Sequence, residues 1–115
     1  MDFRPSAEVS RFAEEIRAFL AEHWTEEAAK RVEETGTLHD WPLHRAAAER
    51  GWLRSGMPAS PEEKRRGPEE LATLFREFEI AGAPYDGASV AMIVAAILSE
   101  VGTEFHKTEI CLLYT

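Results

Sequence analysis

The residues able to do chemistry are four histidines, one cysteine, several glutamate pairs and a short basic run. His23, His39, His44 and His106 never fall four apart on one helix, nor beside a pair of cysteines, so they lack the spacing of a metal site. Cys111 is followed by apolar residues and has only His106 near it in sequence. A thiol nucleophile needs a base and a group to orient that base, so inertness is expected.

Glu14 and Glu15, Glu26 and Glu27, and Glu33 and Glu34 are sequence neighbours, and adjacent side chains diverge around a helix. They read as solvated faces rather than acid–base pairs. Lys64, Arg65 and Arg66 are enclosed by Glu62, Glu63, Glu69 and Glu70 without interleaved aromatics, which argues against a nucleic-acid patch. Neither GxGxxG nor GxxxxGK occurs. The residues alone therefore nominate no catalytic, flavin-binding or metal-binding position.

The totals point the same way. A chain of 115 residues is one domain's worth, and its 44% hydrophobic and 30% charged content is that of a globular protein. Its net charge of -8 repels phosphate backbones and anionic membranes, so neither is an expected partner. A single cysteine makes no internal disulfide, and the N-terminus lacks the basic and apolar regions of a secretory signal. The cytoplasm is the default expectation.

The elements that would hold these residues are helical. Val9, Phe12, Ala13, Ile16, Phe19, Leu20 and Trp24 recur at helical spacing after Ser6, a plausible N-cap. Thr25 can cap a second helix with Glu26 and Glu27 at its positive end, and Gly36 suits its left-handed stop. Asp40-Trp41-Pro42 opens a third that runs to Gly51. The stretch from Trp52 to Gly67 reads as a loop, rich in proline, glycine and charge.

Pro68 opens a further helix in which Leu71, Leu74, Phe75, Phe78 and Ala81 share a face, ended by Gly82 and Pro84. Asp86 can cap the next, to Val101, and Thr103 a last one with Phe105, His106 and Ile110. No segment alternates long enough to be a strand. The expected fold is all-α, a bundle of about six helices.

The helix from Asp86 to Val101 carries nine apolar residues in a row, Val90 to Leu98. Sixteen helical residues span about 24 Å, short of a bilayer interior of about 30 Å, so it is no membrane span. It is apolar all round and must be covered by protein or ligand. Two readings stand: the buried central helix of a bundle, or a wall shared with an apolar ligand or a further domain.

MDFRPSAEVSRFAEEIRAFLAEH at the start, WPLHRAAAERGWL from Trp41 to Leu53 and FREFEIAGAPYDGASVAMIVAAILSEVGTEFHK from Phe75 to Lys107 together resemble the N-terminal helical domain of acyl-CoA dehydrogenases. The most specific pieces are LAEH, ERGW, AGAP and GTEFHK, the last in place of the family's usual GTEEQK. Coverage is nearly the whole chain, taken as a domain over residues 1–110 and an atypical tail over 111–115.

The resemblance implies a three-domain enzyme in which a β-domain and a C-terminal helical bundle follow, with FAD between them. The reaction it implies is α,β-dehydrogenation of an acyl-CoA thioester, a carboxylate base taking the α-proton and FAD the β-hydride. The base and flavin contacts usually come from those later domains, so no FAD is expected on this chain alone. The resemblance places a wall of the acyl-chain cavity on the helix after AGAP, at Tyr85, Ser89, Val90 and Ile93. A plain core role is the alternative for each.

Two departures from the family stand out. MPASPEEKRRGPEE replaces a WP...YGG.G loop, and CLLYT replaces a leucine-proline turn leading to another helix. The leading expectation is therefore an N-terminal domain or truncated form, not catalytic alone, that binds acyl-CoA only as part of the complete enzyme. The alternative is a free-standing helical interaction module, a homo-oligomer joined through its apolar helix.

Overall fold

A computed structural model describes residues 1–54 and 66–108. The former loop expectation therefore lies largely outside the described residues, as do Lys64, Arg65, Ile110 and Cys111. Among the described residues five α-helices are delimited, α1 (Ala7–His23), α2 (Glu26–Thr35), α3 (Trp41–Glu49), α4 (Pro68–Ala81) and α5 (Asp86–Val101), and residues 104–108 are helical beyond them. A 3-10 turn, Trp52–Arg54, follows α3, and no strand occurs among the described residues. The fold is an all-α bundle, as the periodicity predicts.

The starts of α1, α2 and α3 are capped by side chains. The Ser6 and Thr25 hydroxyls accept from the amides of Val9 and Ala28, and a carboxylate oxygen of Asp40 accepts from Leu43 at 3.1 Å. These bonds satisfy amides that have no partner within the helix. Gly36 and Gly82 end α2 and α4 at φ 66° and 73°, in the left-handed region where a Cβ is costly. The expectation for Asp86 needs correction: Tyr85 occupies the N-cap without a side-chain bond, and Asp86 lies inside the first turn.

The core joins α1, α3, the 3-10 turn and α4. Phe12, Ile16, Phe19 and Leu20 meet Leu43, Ala47, Trp52, Leu53, Leu74 and Phe78, all buried. Trp52, which begins the stretch expected to be loop, is fully buried. Its ring stands edge-on to Phe12 and Phe19, with centroids 5.7 and 4.7 Å away. A two-ring enclosure of this kind adds to the burial of the indole itself. The reason for the correction is that Gly51, at φ 75°, turns the chain back beneath α1 rather than out into solvent.

The inward face of α4 is more polar than its leucine and phenylalanine spacing implies. Leu74 and Phe78 are buried and Leu71 and Phe75 partly so, but Ala81 is exposed, while Glu70, Thr73 and Glu77 are buried. Buried carboxylates need partners. Glu70 pairs with Arg66 at 2.7 Å, and the Arg66 guanidinium also lies 3.9 Å from the Phe12 ring centroid. Arg66 is thereby committed to the fold, not to a basic surface.

Candidate functional site

The turn from α4 to α5 is built by AGAP. Gly82 donates to the Glu79 carbonyl, and Ala83 to that of Phe78 at 2.9 Å, which closes α4 and leads the chain into α5 within four residues. Ala83 is buried there, and Pro84 prevents α4 from continuing. Trp24, at the end of α1, donates its indole N–H to the Ala81 carbonyl at 3.1 Å. The ring is thus fixed beside the start of α5.

A cleft of about 470 Å³ opens at this junction. Trp24, Val32, Leu38, Pro84 and Tyr85 give it apolar walls, and Glu33, Glu79 and Asp86 stand around it. Among the described lining residues there is no cation. Such a rim repels a diphosphate, so the cleft does not fit the diphosphate of FAD or of a coenzyme A moiety. No step of flavin chemistry is assigned to it.

Above the cleft, α5 has two unlike faces. Ala88 and Ala95 are buried, Met92 packs against the core, and the helix rests on the Trp52–Arg54 turn. The opposite side carries Val90, Ile93, Val94, Ile97 and Val101, exposed by 58, 59, 41, 56 and 77%. At 100° per residue these five fall within one stripe. The bundle covers only one side of this helix.

The four sequence-nominated residues divide accordingly. Tyr85 lines the cleft, its ring 5.6 Å from that of Phe75. Ser89 donates to the Asp86 carbonyl at 2.9 Å and flanks the stripe. Val90 and Ile93 are members of the stripe. The structure brings Val90 and Ile93 onto one surface with Ser89 at its edge, and sets Tyr85 apart in the cleft.

One grouping was missed from sequence. His39 and His44 lie with ring centroids 5.0 Å apart, Trp41 sits against both, and the pair abuts Gly87 of α5. Burial, then the neighbouring His39 charge, holds His44 below its ordinary value and favours a neutral ring. A spacing of five hides this pair from any search for i, i+4 ligands. Among the described residues no three histidine, cysteine or carboxylate side chains cluster to hold a metal. His106 instead serves a helix start, its Nδ1 accepting from the Thr103 amide while its own amide donates to Thr103 Oγ1.

Fold and site together define a helical domain with one apolar helix face and no assembled reaction centre among its described residues. A family model of the acyl-CoA dehydrogenase N-terminal domain matches residues 6–111, and the chain belongs to that family. No curated protein and no solved structure matches it.

Proposed function

We propose that this chain acts as the N-terminal helical part of a flavin-dependent acyl-CoA dehydrogenase, supplying an apolar wall of the acyl-chain cavity. The observation that carries this reading is the exposed stripe on α5, on the helix following AGAP, in a chain of this family. An acyl chain laid along Val90 and Ile93 would recover burial free energy at roughly 25 cal/mol per Å². The reacting thioester would then lie in a space from which these side chains exclude water.

The proton and hydride transfers belong to groups elsewhere in such an enzyme. This domain is proposed to contribute binding and domain packing to the reaction. A cytoplasmic setting is proposed with it, since a single cysteine needs no oxidising compartment for an internal disulfide.

A spin-labelled long-chain acyl-CoA tests the reading. It should broaden the methyl resonances of Val90, Ile93 and Val94 before those of the core. Broadening confined to other regions would remove the wall assignment. Purified protein that is yellow and bleaches on adding acyl-CoA would show that flavin binding and catalysis reside in this chain after all.

A further inference from the structure

We propose that the cleft at the junction of α4 and α5 binds a small organic cation, an ammonium group carried on an aryl or short alkyl body. The inference is independent of the acyl-CoA reading. Neither Val90 nor Ile93 lines the cleft, so its occupant leaves that proposed wall in place. The cleft's volume, about 470 Å³, lies within the roughly 300–1,000 Å³ of small-molecule sites.

Charge selects a cation. Glu33 of α2, Glu79 of α4 and Asp86 of α5 bring carboxylates to the cleft from three different helices. None of the three makes an ion pair within the described residues, whereas the buried carboxylates Asp40, Glu70 and Glu77 each hold an arginine. With no cation among the described lining residues, the negative potential of the cleft is left for a ligand to neutralise.

The walls select an organic one. A hard metal ion needs several converging oxygens, and no three carboxylate or histidine side chains of the described residues stand together in that way. Trp24 and Tyr85, both half-buried, supply ring surface instead. The Trp24 N–H is already given to the Ala81 carbonyl, so what its ring has left for a ligand is its π-surface. Tyr85 is held against Phe75, with ring centroids 5.6 Å apart. Positioned aromatic surface beside carboxylates is the chemistry that recognises a substituted ammonium.

Titration of the 115-residue chain with 2-phenylethylamine, followed on its three indole N–H resonances, tests this. The Trp24 signal should move saturably while those of Trp41 and Trp52 stay. The amine should bind about tenfold more tightly than its uncharged analogue 2-phenylethanol. 3-Phenylpropionate should not bind, and added salt should weaken the amine. The double variant Glu33→Gln/Glu79→Gln, at two exposed positions, should cut the amine's affinity about tenfold and leave the helical circular dichroism and the alcohol's binding unchanged. Equal affinity for amine and alcohol, a Trp24 signal that does not move, or an amine affinity untouched by the double variant overturns the proposal. So does a lysine-bearing peptide that binds there more tightly than the amine, which would give the cleft to a protein partner.

Discussion

Arg17 of α1 holds Glu77 of α4 through two parallel hydrogen bonds of 2.9 Å, across 60 residues of sequence. The carboxylate is 4% exposed and the guanidinium side chain 59%, so the buried member depends on the exposed one. Arg76 adds a longer bond of 3.3 Å to the same carboxylate. The hydrogen bonds and charge of Arg17 hold Glu77 below the ordinary carboxylate range against the opposing effect of burial.

Removing Glu77 should therefore loosen the α1–α4 contact. Glu77→Ala is expected to cost about 1–2 kcal/mol, below the full value of a buried pair because Arg17 can return to water. Arg17→Ala should also destabilise, with Arg76 retaining part of the compensation. Urea unfolding of the two single variants and the double variant measures the coupling; additive losses would contradict a direct tie.

Asp40 performs two tasks at the start of α3. One oxygen pair binds Arg31 at 3.0 and 3.1 Å, and Oδ2 also caps the Leu43 amide. Asp40→Ala should cost about 1–2 kcal/mol through the lost cap. Asp40→Asn keeps a capping oxygen and loses the charge, so its midpoint should fall between wild type and alanine.

Stability should decline with acid in two stages. His44 resists protonation in the fold, while the unfolded chain takes up that proton below its ordinary value of 6.5. The unfolded state then binds more protons, and stability falls. Glu77 and Asp40 are held below their ordinary 4.5 and 3.8. For Asp40, burial opposes the shift but is outweighed by Arg31 and the Leu43 amide.

Below those ordinary carboxylate values the unfolded chain again binds protons first, giving the second loss. Denaturation midpoints from pH 8 to pH 3 would show both steps. His44→Gln should remove the upper step and preserve the lower.

Gly87 lies in the first turn of α5, where alanine usually favours a helix by about 1 kcal/mol. Here a Cβ would overlap the His39 ring. That imidazole is wedged against Trp41 and His44, and its Nε2 is buried. Gly87→Ala should therefore lower the thermal midpoint, by about 1–3 kcal/mol of overpacking less the helical gain, and shift the His39 ring resonances.

Much of the architecture was legible because it rests on local chemistry. Ser6, Thr25 and Asp40 cap the helices that follow them, and Gly36 and Gly82 take the left-handed stops. Those outcomes depend on hydrogen bonds only a few residues long. The buried stripe of α1 follows equally from its period. AGAP and its neighbouring segments identified the family, which the match over residues 6–111 establishes.

What the sequence by itself determined about this protein is the five helices α1 to α5, their limits to within a residue or two, and the presence of one helix apolar on every side. Only the tertiary structure decided that Trp52 is core, that Glu70 and Glu77 are buried, that His39 meets His44, and that α5 keeps Val90, Ile93, Val94, Ile97 and Val101 at its surface. Each of those depends on which elements pack together, and a one-dimensional pattern records only that a face is apolar, not what covers it.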